Sequence, residues 1–337
     1  MPCASVSLMA GTIHRANCAN RLRFAILAGF LSFSLCFAVI AGQRIHIAPK
    51  FVTGESLRYQ IDTRTATTGT TSSPIKNLQA ATEFKQTTSL LVRLDVLSAD
   101  PGAQSAAAGR IRLRATYEKS HSISESDAYD PQIDSIDERF KKIEGHALEF
   151  TIEPTGEMSD IKGLDEIFSS RADAEPIISW AKSLTAGKEF PQEGIAIGQK
   201  WSNERMLTGT PLNDLVWRGE SAYLRDEACP EPGAPSGTCA VILMRFEIAR
   251  HGSAHSNATP EDYRRNGLRT SGKWTGSGES LESISLSSGM LISSTQHSVQ
   301  DMDYEIVSVA TGSSFHHTGH VASDTEIKLV PQTAPQP

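Results

Sequence analysis

The sequence predicts a mainly β fold: one large antiparallel sheet, curved or rolled into a half-barrel, with one or two helices packed on it. Three observations predict it. Apolar and polar residues alternate over strand-length stretches, Gly- or Pro-bearing turns separate those stretches, and helical periodicity is scarce.

The first hairpin runs through Leu90, Val92, Leu94 and Val96, turns at Asp100-Pro101-Gly102, and returns through Ile111, Leu113, Ala115 and Tyr117. Side chains alternate between the two faces of a strand, so this pattern buries one face and leaves Arg110, Arg112 and Arg114 on the wet one. A second hairpin reads Leu148–Ile152, turns at Pro154-Thr155-Gly156 and returns through Met158 and Ile161 to Gly163. A third pairs Val216–Leu224 with Ala240–Ile248 across a Pro/Gly-rich loop. The fourth runs from Gly278 through Ile284 and Leu286, turns at Ser288-Gly289, and returns through Met290 and Ile292 toward Val299.

Helix is predicted at Ser135–Ile143 and at Asp165–Leu184, the latter interrupted by Pro176. The Gly156 and Gly289 hairpins flank this helical segment in corresponding positions and hint at two similar halves around 164–190. Thr65–Ser73, Ala103–Ala108 and the tail 331–337 are low in complexity and read as loop or disorder.

The N-terminus has a different character. Arg15, Arg21 and Arg23 are the only charges before Ala41, and Phe24–Gly42 is an uncharged apolar run. That layout is a targeting segment over 1–41, which predicts that 42–330, a single β-rich domain, is exported to the periplasm or cell envelope. Val39-Ile40-Ala41 offers small residues for cleavage, while the length of 24–42 approaches the roughly 20 residues that span a bilayer, so removal and retention as an inner-membrane anchor are both open. Leu35 before Cys36 excludes lipid attachment there.

Setting those three arginines aside takes the formal net charge from −7 to −10, which excludes nucleic acid as the main partner. Cys3, Cys18 and Cys36 fall in the targeting segment, leaving Cys229 and Cys239 as a predicted disulfide at the base of a Pro230–Thr238 loop.

Catalytic and metal motifs are weak. Gly-x-Ser-x-Gly and His-Glu-x-x-His are absent. Ser73-Pro74-Ile75-Lys76 has serine–lysine spacing, but Pro74 and its Thr/Ser/Gly-rich approach favour a loop. His316, His317 and His320 are the densest imidazole cluster, with no acid or cysteine to complete a metal set, so a solvated strand or loop end is the better reading. Asp301, Asp303 and Glu305 alternate onto one face and read as solvated rather than as a calcium site. Asn257-Ala258-Thr259 marks an exposed loop. Trp180, Trp201, Trp217 and Trp274 suit either a ligand cavity or ordinary core packing, and their scatter along the chain favours the core. No catalytic residue, metal or cofactor is assigned.

Leu148–Gly163, Pro191–Trp201 with its Gly198-Gln199-Lys200-Trp201 centre, and Gly276–Gly289 together resemble a group of exported bacterial proteins to which no activity is assigned. In architecture such chains look akin to the lipoprotein-carrier fold of LolA, a curved antiparallel sheet partly closed around helices that can hold acyl chains. The resemblance covers Leu90–Val309. It carries no catalytic residue; the hairpin pattern, the export segment and the absence of a catalytic signature point to a non-catalytic binding module with an apolar small molecule or lipid as ligand. The alternatives are a hydrolase whose residues assemble from distant strands and a protein–protein adaptor working through a sheet edge or apolar patch.

Overall fold

The computed structural model describes residues 44–72, 82–100, 109–127, 131–153, 158–163, 190–231, 234–250 and 259–331. These contain β1 (Ser56–Ser72), β2 (Glu83–Ala99), β3 (Ile111–Ser126), α1 (Pro131–Ile143), β4 (Ala147–Ile152), β5 (Met158–Lys162), β6 (Lys200–Met206), β7 (Leu215–Glu231), β8 (Ala234–Arg250), α2 (Glu261–Arg265), β9 (Leu268–Ser285), β10 (Leu291–Ser308) and β11 (Ser314–Val330). The targeting segment 1–41, the Ser73–Lys76 motif, Ala103–Ala108, the helix predicted over Asp165–Leu184, Trp180 and Asn257-Ala258 lie outside the described residues.

All eleven strands form one antiparallel sheet in the order β5-β4-β3-β2-β1-β11-β10-β9-β8-β7-β6. The chain starts at the middle, meanders to one edge through β5, re-enters at the other edge with β6, and meanders back until β11 pairs with β1. β5 and β6 do not meet, so the sheet is open rather than a closed barrel. The four hairpins read from the sequence correspond to β2/β3, β4/β5, β7/β8 and β9/β10.

Two local expectations are corrected. Thr65–Ser72, expected as a low-complexity loop, is the distal half of β1, paired residue for residue with Ser323–His316 of β11. The Pro230–Thr238 connection is also largely ladder: Cys229 faces Gly237 and Glu231 faces Ala234, with a register shift that accommodates Pro230. The Cys229–Cys239 disulfide therefore crosses the ladder diagonally, with Cα atoms 5.7 Å apart, and does not close the base of a loop. Both cysteines are buried beside Ile292 and Leu329.

The strands share a proximal end, where β1 begins and β2 ends, and a distal end, where β1 ends and β2 begins. At the proximal end one face carries the main core. Leu57, Tyr59 and Ile61 of β1 lie opposite Leu94, Val92 and Leu90 of β2, and β3 continues the layer with Leu113, Ala115 and Tyr117. Phe150 of β4, Ile242 of β8, Ile284 of β9 and Ile327 of β11 extend it. The chain before β1 covers part of this layer with Ile47 and Phe51. It is held by an Ile45–Ile195 bridge and by Lys50 N–H donating to Ser288 O at 2.7 Å. Gly289 in the β9–β10 turn has φ +68°, and a Cβ there would lie 2.0 Å from Ala48 O, so only glycine fits.

α1 packs on β3, and α1 together with the residue that follows it supplies carboxylates to the exposed edge of β3. Asp137 accepts the Ser124 N–H at 3.0 Å and Glu144 accepts the Ser120 N–H at 3.1 Å, which blunts an edge that could otherwise pair with another strand.

The opposite, outer face is charged and exposed. Arg112 and Arg114 both bind Glu149, at 2.6 and 2.5 Å, and Arg110 binds Glu153 at 2.9 Å, so the arginine row does line the wet face. The Arg114 guanidinium, with Arg112, holds the Glu149 carboxyl below its ordinary value against the opposing effect of partial burial.

Candidate functional site

In the distal half of the sheet both faces carry functional-looking groups, and register decides which of them meet. On the outer face the β10–β11 pairing sets Asp301 opposite His320 and Glu305 opposite His316. His320 Nδ1 lies 2.8 Å from Asp301 Oδ1, His316 Nε2 lies 2.8 Å from Asp303 Oδ1, and further along the seam His297 Nδ1 lies 2.7 Å from Asp324 Oδ1. These side chains line or adjoin a shallow open trough of about 450 Å³ that also presents Thr68, Thr70, Lys273 and Thr275.

The sequence read the histidines as having no acid to complete them, and that is corrected here: Asp301 and Asp303 are the acids. They act pairwise, and among the described residues no three His, Cys, Asp or Glu side chains converge on a metal position. Among those residues no hydroxyl or thiol hydrogen-bonds His297, His316 or His320, so these His–Asp pairs are not coupled to a nucleophile.

His317, between the two paired histidines, points to the core face because side chains alternate. There it joins a row of rings. Tyr304 lies 5.3 Å from His317, Trp274 lies 6.5 Å from Tyr304 at an interplanar angle of 12°, and Phe315 lies 6.4 Å from His317 at 4°. Trp217 and Phe246, 5.8 Å apart, extend the pattern across β7 and β8 and are buried with Leu212, Leu215 and Ile248. The Arg205 guanidinium sits 4.5 Å above the Trp217 ring.

Glycines make room for several of these side chains. A Cβ on Gly219 would lie 2.3 Å from the Trp217 ring, one on Gly278 2.5 Å from the Phe246 ring, and one on Gly319 2.8 Å from His317 Nε2. Trp217, Phe246 and His317 therefore lie low over the backbone, a known way of covering glycine in a sheet.

Two hydrogen bonds orient the row: Trp274 Nε1–H donates to Gln300 Oε1 at 3.1 Å, and Thr71 Oγ1 is 3.1 Å from His317 Nδ1. Partial burial raises the Tyr304 phenol pKa, helped by Tyr263. Partial burial lowers that of His317, helped by neighbouring His316, so the neutral imidazole is favoured. Trp274, Met302, Tyr304 and Phe315 remain only partly buried among the described residues.

Between the row and the main core, the same face is a band of hydroxyls and amides. Thr63 and Thr325 are 3.3 Å apart, Thr65 and Ser323 3.2 Å, and Gln86 donates to Ser122 at 3.1 Å. Gln296, Ser298 and Ser280 continue it. Ser280 is 1% exposed, and its hydroxyl has no hydrogen-bond partner among the described residues.

Of the other tryptophans, Trp201 packs on the main core 5.7 Å from Phe190. Trp217 and Trp274 share the second cluster, so the scatter that argued for ordinary packing is partly a product of reading along the chain. The ring row escaped the sequence reading because its members come singly from different strands; the available signal was an aromatic residue with a glycine two positions away, as at Trp217/Gly219, Trp274/Gly276 and His317/Gly319.

Fold and site define an open, single-sheet β protein with one charged face and one face running from apolar core through a neutral polar band to an aromatic row. No protein-family profile matches the chain, and no curated protein matches it. Among solved structures it is similar to a lipovitellin structure described for its lipid–protein interactions, at 12% identity and a TM-score of 0.43, over 86% of this chain and 27% of that one. It is also similar to OpdQ of Pseudomonas aeruginosa, at 6% identity and a TM-score of 0.20 over 80% and 98% of the two chains. The third is the monoaromatic hydrocarbon channel TodX, at 6% and 0.13 over 83% and 91%. The chain spans only about a quarter of lipovitellin, and none of these scores reaches the level of a shared fold, so none bears on the function of this chain.

Proposed function

We propose that the protein is an exported, non-catalytic binding module of the periplasm or cell envelope that holds an apolar or acyl-bearing ligand on the core face of its sheet. The observation that carries this reading is the partly buried row of Trp274, Met302, Tyr304 and Phe315, a second apolar patch on the core face, separated from the packed core by a polar band. Rings and a thioether there offer contact area to an apolar chain, and contact with them would remove that surface from water. The likeness to the acyl-carrying architecture of LolA belongs to the same proposal.

Export rests on the charge-flanked apolar run before Ala41, with that segment removed or retained as an anchor. The hydrolase alternative gains nothing from the His–Asp pairs, which are exposed and uncoupled to a nucleophile.

The test is native mass spectrometry with lipid extraction on protein purified from its own envelope. The expected result is an acyl-bearing molecule bound in stoichiometric amount and lost in Trp274→Ala. Ligand-free protein that also takes up no added acyl amphiphile would contradict the proposal.

A further inference from the structure

The two faces of the distal half differ in charge. On the outer face β9, β10 and β11 present Lys273, Asp301, Asp303, Glu305 and the paired histidines. On the core face the described distal positions of β1, β2, β9, β10 and β11 are Thr, Ser, Gln, Gly, apolar or aromatic, with neutral-favoured His317 the sole titrating base among them. Along β10 the order toward the distal end is Gln296, Ser298, Gln300, Met302, Tyr304. The six residue steps from Ser298 to Tyr304 cover about 20 Å at roughly 3.4 Å per residue.

An apolar chain alone would leave the hydroxyl band unused, and a lining made for such a chain would not be built from Thr63, Thr65, Ser323, Thr325 and Gln296. A phosphate, sulfate or carboxylate head on the band of β1, β2, β9, β10 and β11 would find no cation beside it; Arg205 and Arg250, which share this face, stand on β6 and β8, where Arg205 covers the Trp217 ring. Each Ser or Thr hydroxyl both donates and accepts, and Gln does the same through its amide, which matches a group that is itself rich in hydroxyls.

We infer that the ligand is an amphiphile with an uncharged, hydroxyl-rich head of sugar-like chemistry, its head on the Ser/Thr/Gln band and its apolar part on the Trp274–Tyr304 row. This rests on the function proposed above and specifies the chemistry of its ligand.

The test compares three probes with the same twelve-carbon tail, each below its micelle-forming concentration: dodecyl maltoside, dodecylphosphocholine and dodecyl sulfate. Binding to the exported protein is followed by calorimetry. Dodecyl maltoside should bind about tenfold more tightly than either charged probe. Gln296→Leu, and separately Thr65→Val, should remove that advantage while leaving dodecylphosphocholine binding unchanged. Trp274→Ala should weaken all three.

Equal affinity for the three probes, or preference for a charged head, would overturn the inference and leave the proposed function standing. Phosphocholine preference in particular would mean that the rings hold a quaternary ammonium. Absence of binding by all three would overturn the inference and the proposed function together.

Discussion

In the proximal half of β2, Leu90, Val92, Leu94 and Val96 are buried, whereas the distal half of the same strand presents Phe84, Gln86 and Thr88 on that face, all partly exposed. β1 repeats the contrast, with Leu57, Tyr59 and Ile61 giving way to Thr63, Thr65 and Thr67. The backbone ladder runs through both halves without a break. What differs is the source of cohesion: apolar burial at one end, and hydrogen bonds, cross-strand pairs and ring contacts at the other. A region freed from supplying the core can carry side chains chosen for a ligand, and the distal half is where the proposed ligand surface lies.

The sharpest way to break this comparison is to make equivalent truncations in the two halves. Leu113, fully buried in β3, should cost about 2–5 kcal/mol when changed to Ala, because transfer and cavity effects add. Thr65→Ala in the distal half should cost about 1 kcal/mol, the worth of one hydroxyl hydrogen bond. Urea unfolding of both variants checks this, and similar losses at the two positions would show that the halves are not held by different forces.

The next largest effect is expected from the disulfide, which ties β7 to β8 at the proximal end. With a sequence separation of 10, replacing both Cys229 and Cys239 by Ala should lower stability by about 2–3 kcal/mol in the chain-entropy description. Calorimetry of the double variant measures it. Non-reducing peptide mapping that finds both cysteines alkylatable in the purified protein would contradict the bond itself.

The smallest and most selective effect concerns pH. Because His317 has a folded-state pKa below its ordinary value of 6.5, the folded form binds fewer protons than the unfolded form. Its contribution is fully present above 6.5 and is lost as pH falls from there toward the lowered value. Glu149 and Glu153 are likewise lowered, Glu149 by Arg114 and then Arg112, Glu153 by Ser159 and then Arg110. Their stabilisation is present above 4.5 and is lost only as pH falls below it. Lowering pH from 7 to 5.5 should therefore reduce the protection of amides around β11, measured against the intrinsic exchange rate at each pH, while leaving the protection of β3 and β4 unchanged. His317→Asn should abolish that response.

The same contrast explains what was legible in the sequence. Proximal strands announce themselves because burial of one face imposes strict alternation, as from Leu90 to Val96, and their turns carry glycine where φ must be positive, as at Gly289. The distal strands carry no such imprint. Thr65–Ser72 reads as low complexity because neither face is apolar, and its conformation is decided by pairing with Ser323–His316, some 250 residues away in sequence. Pro230 and Gly237 read as loop because proline cannot donate to a ladder; a register shift absorbs the proline instead.

The site shows the same limit. Asp301, Asp303 and Glu305 were recognised as one face and His316, His317 and His320 as one cluster, but only the β10–β11 register shows that two of these histidines meet those acids while His317 joins Tyr304 on the other side. Export remains a proposal drawn from Phe24–Gly42, which lies outside the described residues.

The most direct test of the central claim, that the distal core face is the ligand surface, is hydrogen exchange by mass spectrometry on the purified protein with and without bound dodecyl maltoside. Protection is expected in the distal segments of β1, β9, β10 and β11, over 63–72, 268–278, 296–306 and 314–325, with β4 unchanged. Protection confined to the proximal strands, or binding that leaves all four distal segments unprotected, would contradict it.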